Sequence, residues 1–193
     1  MAFIFSLSEE VSSRMVEVLQ DFFNAYPLGK EFQDSLVKAH KEVRITDTNP
    51  TDQQQYPLIV VESIPNESVP VSLGNVLGYE EYNERNYVVY GGNANVNTTL
   101  RIYDTGKVGA GKLADVVFLA LMHYAMMELK RSFIFLQPQV RFTKPTKLTG
   151  TNLGGDVWMC TVNVPIVTEW RQYFEQVVLE LEKVAALPVV KND

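Results

Sequence analysis

The stretch "YDTGKVGAGKLADVV", residues 103–117, decides between two folds. Gly106, Gly111 and Lys112 fall at the G-x-x-x-x-G-K spacing of a phosphate-binding loop, after a strand-like run and before a helix-like one. Such a loop belongs to a βαβ nucleotide-binding fold and ends on a hydroxyl that holds Mg²⁺. Here that position is Leu113, which also starts an apolar stripe with Val117, Ala120 and Tyr124. A carboxylate on a later buried strand is missing as well, because Glu62, after "LIVV", comes earlier in the chain. The glycines are therefore expected only to turn a strand into a helix, with Asp115 in the helix's first turn. Nucleotide or anion binding at the 106–112 loop stays as the alternative, through exposed amides and Lys112.

Outward from this loop, the pattern is α+β. Val11, Met15, Val18, Phe22 and Tyr26 recur at helical spacing, with Ser6 and Glu9 as a capping box, and "YPLG" ends the run. A second helical piece, "KEFQDSLVKAHKEV", offers Phe32, Leu36 and His40 to the core. "YPLIVVES" reads as a buried strand, and residues 64–84, with Pro65, Pro70, Gly74 and Gly78, as a long irregular excursion. "RNYVVYGG" and "NVNTTLRIYDT" flank "GGNAN" and predict a hairpin. A helix follows over 109–132, then two strands joined across "NLGG". In the second, Trp158, Cys160, Val162, Val164 and Ile166 share a face, and Pro165 predicts an edge or a bulge. Thr168 is expected to cap a last amphipathic helix carrying Trp170, Phe174, Val177, Val178, Leu181 and Val184, with "LPVVKND" as a tail. The expected fold is a mainly antiparallel sheet with helices on one face, in the order α-β-ββ-α-ββ-α, as one domain over 1–193 with a C-terminal helix and tail at 169–193.

Composition narrows function. With 193 residues, 46% of them hydrophobic, the chain supports one sizeable core, and a net charge of −6 gives no whole-protein case for nucleic-acid binding. Cys160 is the only cysteine, and His40 and His123 lie far apart, so neither a disulfide nor a zinc cluster is expected. His123 reads as a core or interface residue, Cys160 as a packed thiol, and no catalytic, cofactor or metal residues are expected. The N-terminus has no basic region or cleavage site, and the apolar run at 116–127 is short of the roughly 20 residues a bilayer span needs. Tyr79, Tyr82, Tyr87, Tyr90 and Tyr103 suit strands or a contact surface.

Charge is segregated. Residues 45–84 hold seven acids (Asp47, Asp52, Glu62, Glu67, Glu80, Glu81, Glu84) and no Lys or Arg. Residues 129–155 hold five bases (Lys130, Arg131, Arg141, Lys144, Lys147) and no acid. Opposite-sign surfaces on identical copies favour head-to-tail contact, so Lys130, Arg131, Arg141, Lys144, Lys147, Glu62, Glu80, Glu81 and Glu84 are the expected subunit interface.

The N-terminal helix, "PLIVVESIP", "NYVVYGGNANVNTTLRIYDT", the long apolar helix, the second pair of strands and "TEWRQYFEQVVLELE" together resemble phage tail terminator proteins, over most of the chain and without a short diagnostic motif. The resemblance implies a non-enzymatic virion protein of the tail and neck, assembled in the host cytoplasm. It would form a ring, with six copies expected, that caps the tail tube and docks the head-side connector. Sheath is a further expected partner, and DNA would pass through the lumen without sequence-specific binding. Another neck or head-completion subunit is the nearest alternative.

Overall fold

In a computed structural model, the structure describes residues 7–37, 42–47, 56–70, 76–82, 85–132, 134–137, 139–148 and 156–175. Helix α1 (Leu7–Ala25) buries the expected stripe, Val11, Met15, Val18 and Phe22, with Tyr26 half-buried just beyond it. Ser6 lies outside the described residues, so the capping box does too. Helix α2 (Pro27–Val37) starts earlier than its apolar spacing indicates, because Pro27 fits the first helical turn, where no amide partner is needed. Its Gly29 lies against α1, where a Cβ would sit 2.2 Å from the Phe22 carbonyl oxygen. Phe32 packs on the core as expected, while His40 is outside the described residues.

Eight strands follow a plan of five columns, the first four being β1 (Arg44–Thr46), then β2 (Leu58–Pro70) and β3 (Val76–Tyr82) end to end, then β4 (Arg85–Asp104), then β8 (Val157–Glu175). The short strands β5 (Ile134–Leu136), β6 (Arg141–Phe142) and β7 (Thr146–Leu148) lie end to end along the outer side of β8. Only the β1–β2 pair is parallel, so the expected α+β class with a mainly antiparallel sheet holds.

Four expectations are corrected. The hairpin over "GGNAN" is instead the middle of β4, a single strand of 20 residues. Gly91 is there for close approach: a Cβ would meet Leu77 Cδ1 at 2.5 Å and the Trp170 carbonyl oxygen at 2.6 Å. The irregular excursion at 64–84 is instead largely strand, the end of β2 and all of β3. Its prolines are tolerated because, among the described residues, β1 covers β2 only at Leu58–Val60 and leaves the rest of that side as an edge, and because the register shifts between Pro65 and Glu67. The helix expected from Thr168 is instead strand through Glu175, and residues 176–193 lie outside the described residues. Pro165 is not on an edge strand, since β8 lies between β4 and β5–β7. Its carbonyl accepts the Gln137 amide at 2.9 Å, so its nitrogen also points to that side, where β5 has ended, and no β4 bond is lost.

The long helix runs from Lys107 to Lys130 as α3 (Lys107–Leu119), a π turn (Ala120–Ala125) and α4 (Met126–Lys130). At 24 residues it is long and apolar enough to cross a bilayer by length and composition alone, more than the 116–127 run suggests. Its stripe of Ala110, Leu113, Val117, Leu121, Ala125 and Leu129 is buried with α1 and the sheet. His123 is exposed, not in the core, and Asp115 lies in the third helical turn, not the first.

The helices share one sheet face, lined by Ile59 and Val61 of β2, Val96, Leu100 and Ile102 of β4, and Cys160, Val162, Val164 and Ile166 of β8. Ser63 and Thr98 share a hydrogen bond of 2.8 Å within that layer, which satisfies both buried hydroxyls. The opposite face carries a small cluster of Leu58, Val60, Tyr103 and Val157, and beyond it mixes polar residues, with Glu62 paired to Arg101 and Thr99 bonded to Asn163, with exposed apolar ones such as Ile64 and Phe135.

Candidate functional site

The glycine loop does not form a phosphate cradle. Gly106 is extended (φ −123°, ψ 137°) and caps α3, so Gly109, Gly111 and Lys112 already lie in the helix. Asp104 occupies the mouth: its Oδ1 accepts the Thr105 amide at 2.7 Å, and a Cβ on Gly109 would fall 1.7 Å from its Oδ2. The carboxylate complements the helix dipole and would repel a phosphate brought to the same place. Beside it, Phe32, Ser35, Pro57, Asp104, Gly109, Lys112 and Leu113 line a cavity of about 290 Å³ with one acid and one base. Among the described residues, no three His, Cys, Asp or Glu side chains gather as a metal site would need.

Cys160 sits 1% exposed in the sheet's helix-side layer. Burial, and secondarily the Asp115 charge, push its thiol above the ordinary value of 9.0. The thiolate is the reactive form, so the folded chain should resist a thiol reagent at pH 8 for hours and label fully on unfolding. Labelling of the native protein within minutes would show that this strand opens.

The charged residues assort along the sheet. β4 and β8 outrun the helices, and the first residues of β4, Arg85–Tyr90, and the last of β8, Trp170–Glu175, build with β3 a three-stranded arm. On the helix side of the sheet, the core's apolar row continues into this arm as Trp170, Tyr90, Phe174 and Tyr79. The Tyr90 and Phe174 rings meet edge to face at 5.2 Å, while Tyr79 is 70% and Phe174 43% exposed. Glu80 and Glu81 are exposed on the arm's β3 edge, and Arg171 lies 3.7 Å from Glu169.

The bases gather at the other end. Arg141, Lys144 and Lys147 stand on and between β6 and β7, around Phe142, which is 54% exposed and touches Phe118 of α3. Lys147 pairs with Asp156 at 2.7 Å, and Lys107 lies over the Trp158 ring at 5.6 Å, adding a cation from the glycine loop. Because Phe142 pairs with Val162, this basic corner and Phe174 are separated along β8 by about 40 Å at ~3.3 Å per residue.

Of the nine expected interface residues, the fold brings Arg141, Lys144 and Lys147 together, and Glu80 with Glu81. Glu62 is on the polar sheet face, where its ion pair with Arg101 uses its charge within the chain. Arg131 pairs with Glu128 at 3.2 Å at the end of α4, next to exposed Lys130 and away from β6–β7. Glu84 lies outside the described residues. Sequence reasoning offered Tyr79 to a strand or a contact surface, placed Phe174 on the inner stripe of a helix and missed Phe142. Period-two spacing of Trp170 and Phe174 across Gln172 was the available signal, and it was masked by an equally good helical spacing. No protein-family model and no curated protein matches the chain.

Proposed function

We propose that this chain is a structural virion protein, a tail terminator whose copies form a ring that caps the tail tube and presents a face to the head-side connector. The observation that carries the reading is the sheet arm, acidic at its β3 edge, at the opposite end from the basic β6–β7 corner. Surfaces that differ and lie far apart on one molecule associate head to tail, and such contacts close into rings when the rotation allows. The mechanism is binding without chemistry: the helix-backed sheet is the rigid body, and arm and corner are its contacts. Tail tube and, in a contractile tail, sheath are the expected neighbours, with DNA passing through the lumen.

Light scattering over a protein and salt series, with negative-stain images of any large fraction, tests this. The expected result is a closed ring of six copies that loosens as salt rises, because exposed charges are screened beyond about 8–10 Å near physiological ionic strength. The ring should bind tube ends. Binding to a portal-type connector instead would make it another neck subunit, and a saturable thermal shift with Mg²⁺-nucleotide would return the 106–112 loop to consideration.

A further inference from the structure

We infer that the arm of one copy docks on the basic corner of the next, with Tyr79 and Phe174 against Phe142 and with Glu80 and Glu81 facing Arg141 and Lys144. The inference deepens the ring reading and rests on it for the number of copies.

Three observations select this pairing. First, Tyr79, Phe174 and Phe142 are each more than 40% exposed, two of them on the arm and one at the basic corner. Aromatic side chains in small clusters bordered by charge are typical of the centres of protein contacts. Second, the charges beside them are opposite in sign, acids on β3 and bases on β6 and in the turn to β7. Arm on arm would set Glu80 and Glu81 against their own copies, and corner on corner would do the same with Arg141 and Lys144. Arm on corner instead sets these acids against these bases. Third, β3 and β6 are the outer strands of their columns, so each has a side that no described strand pairs. The corner also has its cations to offer: Lys147 is held by Asp156, but Lys144 makes no ion pair among the described residues.

The test uses engineered cysteines in the full chain, with native Cys160 buried and silent. A Tyr79→Cys chain and a Phe142→Cys chain are mixed in equal amounts and treated with a short bismaleimide. The expected product is the mixed dimer, at least fivefold above either like-with-like dimer and above a mixture in which Glu17→Cys on exposed α1 replaces one partner. Adding E80K and E81K to the first chain should abolish the mixed product, and adding R141E and K144E to the second should restore it. Restoration by reversed charge separates a docking role from damage to either chain. A dominant like-with-like dimer, a mixed yield no higher than the Glu17→Cys control, or loss without restoration would overturn the contact. A chain carrying both Y79C and F142C then reads the copy number. A ladder ending at six supports both the contact and the ring. A ladder ending at two keeps the contact, through reciprocal exchange of arms, and sinks the ring. A six-copy ring by light scattering without mixed cross-links keeps the ring and sinks the contact.

Discussion

Phe22→Ala should lower the stability of the chain by about 3–5 kcal/mol, and its Tm by on the order of 10 °C for a domain of this size. Phe22 is 1% exposed, and three helical elements converge on its ring. Phe23 lies 5.3 Å away edge to face, Tyr26 stacks at 5.3 Å, and Tyr124, from the π turn, meets it at 5.8 Å. Tyr26 and Tyr124 also meet each other, at 5.2 Å. Gly29 of α2 closes the fourth side, with no room even for a methyl group between it and the ring. Removing the ring therefore leaves a cavity whose walls belong to separate helices and cannot all move inward together. Phe22→Leu, which keeps most of the volume, should cost no more than about 1.5 kcal/mol. Thermal and urea unfolding of the two variants measures this. Equal and small losses would mean that α1 is held mainly by its other contacts, such as Met15 and Leu19.

The cluster around Phe22 was legible because a helix carries its own evidence: residues spaced by three and four meet whatever the rest of the chain does. The same holds for the inward row of β8 from Trp158 to Ile166, which period two identified correctly. Errors fell where a distant partner decides. Gly91 and Gly92 look like a turn until Trp170 and Leu77 are brought against them from elsewhere in the chain. Pro65 and Pro70 look like breakers until β2 is seen to have a free side there. The segment from Thr168 fits a helix as well as a strand, and the choice is made by 87–94 of β4, which offers it a ladder. The charges followed the same division. Their sign could be read along the chain, so the run of bases through Arg141, Lys144 and Lys147 was visible there. Which charges already have a partner within the chain, as Glu62 has in Arg101 and Lys147 in Asp156, depends on register across strands and was not.

Thr168→Pro should cost on the order of 3 kcal/mol or more, whereas Thr168→Val should cost less than about 1 kcal/mol. The contrast follows from the direction of the β8 amides. Thr161 and Pro165 turn their carbonyls away from β4, accepting from Thr143 and Gln137 at 2.9 Å each. Antiparallel residues alternate sides, so Thr168, an odd number of residues from both, turns its N–H and C=O toward Ala94 of β4. Proline there removes an interior ladder bond and pushes its ring into the partner strand. Pro165 is tolerated only because it stands at a position of the other parity. Valine keeps the β-branched shape in a site that is 4% exposed, and the hydroxyl it gives up makes only a long bond, 3.3 Å, to the Glu169 carbonyl. A helix beginning at Thr168 would erase the contrast. Both variants would then remove the N-cap at a cost of about 1 kcal/mol, and a proline at the entry to the first turn would add little to it. The unfolding midpoints of the pair thus decide whether β8 continues into the arm. They decide equally whether Phe174 reaches the outer surface from which one copy could hold the next.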